Sequence, residues 1–364
     1  MPSVKSEFRD LLRPVSQGQL QDYGTALAWS PQGDQLAIAS AAGEVLFVDP
    51  LGNNQTLLAA QGQSIDVLQF SAQGRWLAAA GQAGKVYCWD FGESSPTQAG
   101  CLNQTEAWAK TWIDQLVWHP TLPLLAFSLG RCVQVWDASA GQGVATLPCE
   151  GSSVLGLVWH PSGKWLAVAG QGEIRLWDGL DWDADPQVLE MGSAGVALAV
   201  SPQGQYLASG NLDRTLLMWQ PGVNGDPWRM QGFSGKVRQL AWSVPLVGSA
   251  PLLACASGVD VVIWKKQSQN DEDGWEPRVL ALHQGRVEAI AFQPKSLLLA
   301  SAAADGCLGL WRKGRILTQR IEATAQGFSG LAWHPSGQFL AAAGQAGEWM
   351  VWRVSRPGKG FGAK

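Results

Sequence analysis

Short apolar runs recur along the whole chain, each cut by a polar turn. In Lys85-Val86-Tyr87-Cys88-Trp89-Asp90 and Glu173-Ile174-Arg175-Leu176-Trp177-Asp178, polar and apolar positions alternate with period two. That alternation marks a half-buried strand. Runs such as Trp76-Leu77-Ala78-Ala79-Ala80-Gly81 are short, apolar and bounded by glycine. Their small residues suit a place where sheets pack closely. Between such runs stand Ser30-Pro31-Gln32-Gly33 and Ser201-Pro202-Gln203-Gly204. Proline presets the turn's φ and glycine accepts a positive one, so each reads as a tight hairpin.

The runs fall into register. A first set of large apolar residues closes an alternating run just before a polar turn: Trp29, Phe70, Trp118, Trp159, Val200, Trp242, Phe292 and Trp333. A second set ends a later run: Val48, Trp89, Trp136, Trp177, Trp219, Trp264, Trp311 and Trp352, spaced 41 to 47 residues apart. The text between markers repeats closely. Trp159-His160-Pro161-Ser162-Gly163 returns as Trp333-His334-Pro335-Ser336-Gly337. Each of the eight copies predicts three clear strands and a weaker fourth, such as Gln187-Val188-Leu189-Glu190.

These residues resemble the WD-repeat family, and Trp-Asp itself stands at 89–90, 136–137 and 177–178. The resemblance runs from about residue 20 to residue 352, and short loops with Ala/Gln-rich units look bacterial. It implies an all-β fold with four-stranded blades set radially around a channel. The expectation is a single closed eight-bladed β-propeller over 1–364, with seven blades as the alternative. After Trp352 no room remains for a fourth strand. A spare segment at 7–16, Glu7-Phe8-Arg9-Asp10-Leu11-Leu12-Arg13-Pro14-Val15-Ser16, is expected to supply it. Pro14 is tolerable on such a sheet edge. The basic, glycine-rich tail 355–364 is expected to be disordered.

Composition narrows the function. The 364 residues are 46% hydrophobic and 15% charged, an ordinary globular balance. Twenty-six basic against 30 acidic residues give a net charge of −4, without the basic excess of a nucleic-acid binder. RNA binding stays as an alternative, and would show as affinity falling steeply with salt. No apolar stretch is long enough for a membrane span, and the N-terminus lacks a signal-peptide core. The six scattered cysteines form no Cys-x-x-Cys pair and read as reduced, buried thiols of a cytoplasmic protein.

WD repeats often carry a buried Asp-His-Ser-Trp hydrogen-bond set, and the resemblance places one complete copy here: His283, Ser301, Asp305 and Trp311. The fifth unit keeps Ser209, Asp213 and Trp219, with Met191 in place of the histidine. Elsewhere the Asp position holds Ala42, Ala83, Gly130, Gln171, Gly258 or Ala346. His283, Ser301 and Asp305 could be read as a catalytic triad, but the recurring spacing favours a structural network. His119, His160 and His334 each occupy the turn after a first-strand tryptophan. They lie in different blades, so they cannot form one metal centre, and turn capping is the expectation. Asp181, Asp183 and Asp185 alternate but lack the glycine and glutamate of an EF-hand. Gly-Gln-Ala-Gly segments lie between strands, where no helix end can bind phosphate. No catalytic residue, cofactor or metal is expected. An enzyme using the central channel is the rival reading, weakened because the inner strand starts offer mostly Ala, Val, Leu and Gly.

The expected function is a non-catalytic protein–protein scaffold or assembly factor, monomeric on its own, using face loops held by rigid blades. On the top face Trp108, Lys110 and Trp112 lengthen one link, with Lys85 and Arg131 nearby and Arg214, Lys236 and Arg286 further round. Exposed tryptophan with arginine is the mix of binding hot spots. On the bottom face enlarged loops carry Leu246, Val247, Asp271, Glu272 and Trp275, a second candidate surface.

Overall fold

The computed structural model describes residues 11–92, 97–101, 111–223, 225–245, 248, 250–268 and 274–355, and every regular element among them is a β-strand. The second unit shows the pattern. Its strands Ile65–Phe70, Trp76–Gly81, Val86–Asp90 and Thr97–Cys101 pair antiparallel in chain order. The alternating run Val86–Asp90 is paired on both edges, and the alanine-rich run beside it is wholly buried.

The Trp-Asp pair has two separable roles. The indole fills the space between sheets, with Trp89 only 1% exposed. The aspartate ends the strand and caps the turn that follows. Asp137 Oδ1 accepts the amides of Ser139 and Ala140, and Asp178 Oδ1 accepts that of Leu180. Asp49 does the same for Leu51 and Asn53 although no tryptophan precedes it. These are Asx turns, in which a short carboxylate mimics a backbone acceptor.

One departure from eight separate four-stranded sheets appears. The strand Gln187–Val200 runs without interruption from the fourth unit into the fifth. Its first half pairs with Gln171–Asp178 and its second with Leu207–Asn211, making one seven-stranded sheet. Gly192, at φ +76°, lies within this strand, which changes partner between Ala194 and Gly195. At the other extreme, the last unit draws on both chain ends. Leu12–Gln19 pairs antiparallel with Glu348–Val354, from Leu12↔Val354 to Gln19↔Glu348. A bulge between Pro14 and Ser16 interrupts the register of this edge strand. Residues 7–10 of the closing segment and 356–364 of the tail lie outside the described residues.

The core is distributed. Among the described residues it divides into eight apolar clusters, each shared by two neighbouring units. One of them joins Trp29, Ile38 and Val48 of the first unit to Trp349 and Val351 of the last. The first strand of each unit packs on the next, and Phe328–Trp333 packs back on Gly24–Trp29. Six of these first strands share a bulge, while Leu116–Trp118 and Gly156–Trp159 pair without one. The register slips at Thr25, Asp66, Val196, Arg238, Glu288 and Ser329. A bulge re-aims the extra residue's side chain, so these positions are set apart from the buried alternation.

Candidate functional site

The expected polar set comes together in the seventh unit. His283 Nε2 lies 2.8 Å from Ser301 Oγ, and Trp311 Nε1 donates to the same oxygen at 2.9 Å. Asp305 Oδ2 accepts the Gln284 and Gly285 amides, and Oδ1 that of Cys307. The carboxylate thus ties the inter-unit link to its own hairpin. Burial raises its pKa, but these three amides, of Gln284, Cys307 and Gly285, outweigh that and hold it below the usual range. His283 Nδ1 stops 3.7 Å from Asp305 Oδ1, too far for a hydrogen bond. In the fifth unit the chain of bonds is different from the expected one. Ser209 Oγ donates to Asn211, Asn211 to Thr215, and Thr215 to Asp213. The family pattern assigns no role to Asn211 or Thr215, so the sequence carries no signal for this chain of bonds.

The turn histidines do more than cap. His160 Nδ1 accepts the Ser162 amide at 3.1 Å, as His334 does for Ser336 and His119 for Thr121 and Leu122. The other ring nitrogen reaches into the next unit. His334 Nε2 lies 2.7 Å from the Gly33 carbonyl, and His119 and His160 meet the carbonyls of Gly163 and Gly204. Gln32, Gln73 and Gln293 make the equivalent reach to Gln73, Thr121 and Gly337. A hydrogen-bonded belt therefore links neighbouring units along one face. Burial lowers the pKa of His119 and His160, partly offset by the glycine carbonyl and, at His160, reinforced by Lys164.

Trp112 is the one expected top-face tryptophan within the described residues, and it is 56% exposed. Its indole Nε1 donates to Asp66 Oδ2 at 2.7 Å. Asp66 is a bulged first-strand residue, also held by Ser64 Oγ at 2.5 Å. Next along the chain, the Ile113 amide bonds the Gly81 carbonyl, which seats this link beside the hairpin carrying Lys85. The neighbouring hairpin carries Arg131, and both cations are exposed. Trp108 and Lys110 lie outside the described residues. Further round, Lys236, Arg238, Arg286 and Glu288 line a cavity of about 470 Å³, with Arg286 paired to Glu288 at 2.8 Å. Asp66, Arg238 and Glu288 correct the expectation of apolar inner strand starts. The bulge that turns them outward leaves the alternation around them apolar.

Of the second candidate surface the described residues include only Trp275, which is buried rather than exposed. Trp275 is 8% exposed, and its ring packs edge-on against Tyr206, Trp228 and Trp242. Lys266, itself buried, sits 4.8 Å over the Trp228 ring. Trp275 starts a strand paired to Lys266, which turns it inward from the loop. Leu246, Val247, Asp271 and Glu272 lie outside the described residues.

Repeated antiparallel sheets, Trp-filled interfaces and Asp-capped turns define a WD-repeat protein. The chain belongs to the WD40 family, whose model (WD domain, G-beta repeat) matches residues 53–90, 141–178, 187–220, 274–312 and 317–353, just over half of it. It is similar to Telomerase protein component 1 of Rattus norvegicus, 28% identical over 293 residues. It is also similar to Chromatin assembly factor 1 subunit FAS2 homolog of Oryza sativa subsp. japonica, 30% identical over 94 residues. The matches cover 78% and 25% of this chain but only 11% and 18% of those relatives. Both relatives are eukaryotic, so they lend no support to the bacterial look of the units. No helix among the described residues is long and apolar enough to cross a membrane.

Proposed function

We propose that the chain is a non-catalytic scaffold: eight blades closed into one ring, presenting a face to a protein partner within a larger assembly. The ring reading is supported by the run of first-strand contacts that returns from the last unit to the first. The assembly reading draws on the names of the two relatives, a component and a subunit.

The observation that carries the binding site is Trp112. A ring that is 56% exposed yet fixed by a 2.7 Å hydrogen bond costs little further entropy on binding. Lys85 and Arg131 beside it supply charge that favours an acidic or polar rim on the partner. Full-length protein bearing Trp112→Ala and Arg131→Ala should lose at least tenfold in partner retention from native-cell extract, with its melting temperature nearly unchanged. Equal recovery of the same proteins by wild type and variant contradicts this site. No reproducible protein in either sample contradicts the scaffold reading.

A further inference from the structure

The two strands that join the chain ends, Leu12–Gln19 and Glu348–Val354, carry an unbalanced charge. Arg13 stands directly opposite Arg353 in their antiparallel register. Like charges so placed disfavour the pairing they sit in. Among the described strands Glu173 and Glu190 also face each other, but there Arg175 lies 2.7 Å from Glu173 and offsets the repulsion. Arg13 and Arg353 are both exposed, and among the described residues no carboxylate pairs with either. Arg353 in turn faces Phe339, its guanidinium carbon 6.0 Å from the ring centroid. Phe339, Arg353 and Arg13 therefore form one row on one face of the sheet. Both arginines line a cavity of about 740 Å³, beside Gln338 and Ser355, and no acidic residue lines it.

We propose that this cavity binds a phosphoryl group, held by Arg13 and Arg353 together. Residues directly opposite on antiparallel strands have Cα atoms about 4.5–5.5 Å apart, which lets both guanidinium groups converge on one tetrahedral oxyanion. The planar fork of each arginine matches phosphate oxygens in a bidentate way. Charge decides between a phosphoryl group and a carboxylate. A phosphate ester carries about two negative charges at pH 7, so one ligand balances both cations, whereas a carboxylate would leave one unmet. The Gln338 amide and the Ser355 hydroxyl add neutral donors at the same wall. Val15, 40% exposed and part of the lining, gives an apolar surface to the organic part of a phosphate ester. One arginine comes from each end of the chain, so the ligand clasps the two ends. By linkage it stabilises the pairing of Leu12–Gln19 with Glu348–Val354, which the arginines alone oppose.

The test titrates the full chain, in phosphate-free buffer at fixed ionic strength, with inorganic phosphate and with a capped Gly-Ala-phosphoserine-Ala-Gly peptide. One equivalent should bind, more weakly as pH falls through about 6, where the phosphoryl group takes up a proton. The unphosphorylated peptide should not bind. Tighter binding of the phosphopeptide assigns the site to a phosphorylated protein, and tighter binding of inorganic phosphate assigns it to a free anion. Arg13→Gln and Arg353→Gln should each weaken binding at least tenfold. Phosphate should raise the wild-type melting temperature by a few degrees. Without phosphate, Arg13→Gln should melt no lower than the wild type, because it removes the repulsion, and it should lose that rise. An equal rise in Arg13→Gln marks a bulk salt effect and overturns the proposal. So does failure of both phosphoryl probes to bind the wild type at millimolar concentration, or binding that survives replacement of both arginines.

Discussion

At the residue scale, one histidine in a turn serves two units. Its Nδ1 accepts a local amide while its Nε2–H must face a carbonyl of the next unit, which demands the neutral ring. Gly163 and Gly204 receive this contact at φ +78° and +76°. A Cβ on either would come within 2.2 Å of the facing imidazole. Gly163→Ala should therefore cost about 1–3 kcal/mol in urea unfolding, from strained backbone and the displaced clamp. A change below about 0.5 kcal/mol would show that the belt carries no stability.

Two of the turn histidines, His119 and His160, and the buried His283 set a pH dependence. The pKa values of His119, His160 and His283 are lowered by burial, so the unfolded chain binds more protons than the folded one. Stability is then full above the unfolded histidine pKa of about 6.5 and falls as pH drops from there through the folded values. Urea midpoints should decline between about pH 7 and 5, before carboxylate protonation contributes. Midpoints that are flat over this window, or rise toward acid, contradict the neutral-ring assignment.

At the element scale, recurring text reported recurring geometry. Hairpin turns, alanine-rich second strands and the paired tryptophan markers were legible because period-two patterning and turn residues are local. The bulges were not. Asp66 and Arg238 sit one residue out of register at the start of apolar strands, and only the pairing partner reveals the slip. Nor was the fate of Trp275, where an acidic loop in sequence gives way at once to a strand buried among aromatic rings. The continuous strand Gln187–Val200 was also hidden, since Gly192 reads as a break and lies within a strand.

The polar set gives the elements unequal support. Trp311 donates to Ser301, whereas the fourth unit has Val168 at the matching position and Trp177 finds no acceptor among the described residues. Trp311→Phe and Trp177→Phe remove similar volume from similar interfaces. The first should cost about 1 kcal/mol more than the second in chemical unfolding, the worth of one hydrogen bond. Equal costs would mean that packing alone holds both strands.

At the scale of the whole molecule, stability is spread over interfaces between units, so no single unit owns its core. The register of markers made eight repeats readable, and the absent last strand pointed to the N-terminus. The observed edge strand is Leu12–Gln19, shifted toward the first unit from the segment the pattern suggested. That shift lets Gly18 lie against Trp349 and Leu20 join the cluster that unites the first and last units. Neither contact has any sequence signature, because each depends on where the two ends meet.

Closure by that strand is the claim on which the ring depends, and amide hydrogen exchange tests it most directly. Amides of residues 12–19 that bond Glu348–Val354 should be protected to nearly the level of the inner strands. Deleting residues 1–19 should expose both the edge of Glu348–Val354 and the cluster behind it. Exchange at 12–19 as fast as in an unfolded chain, with the other strands still protected, would contradict a ring pinned by its two ends.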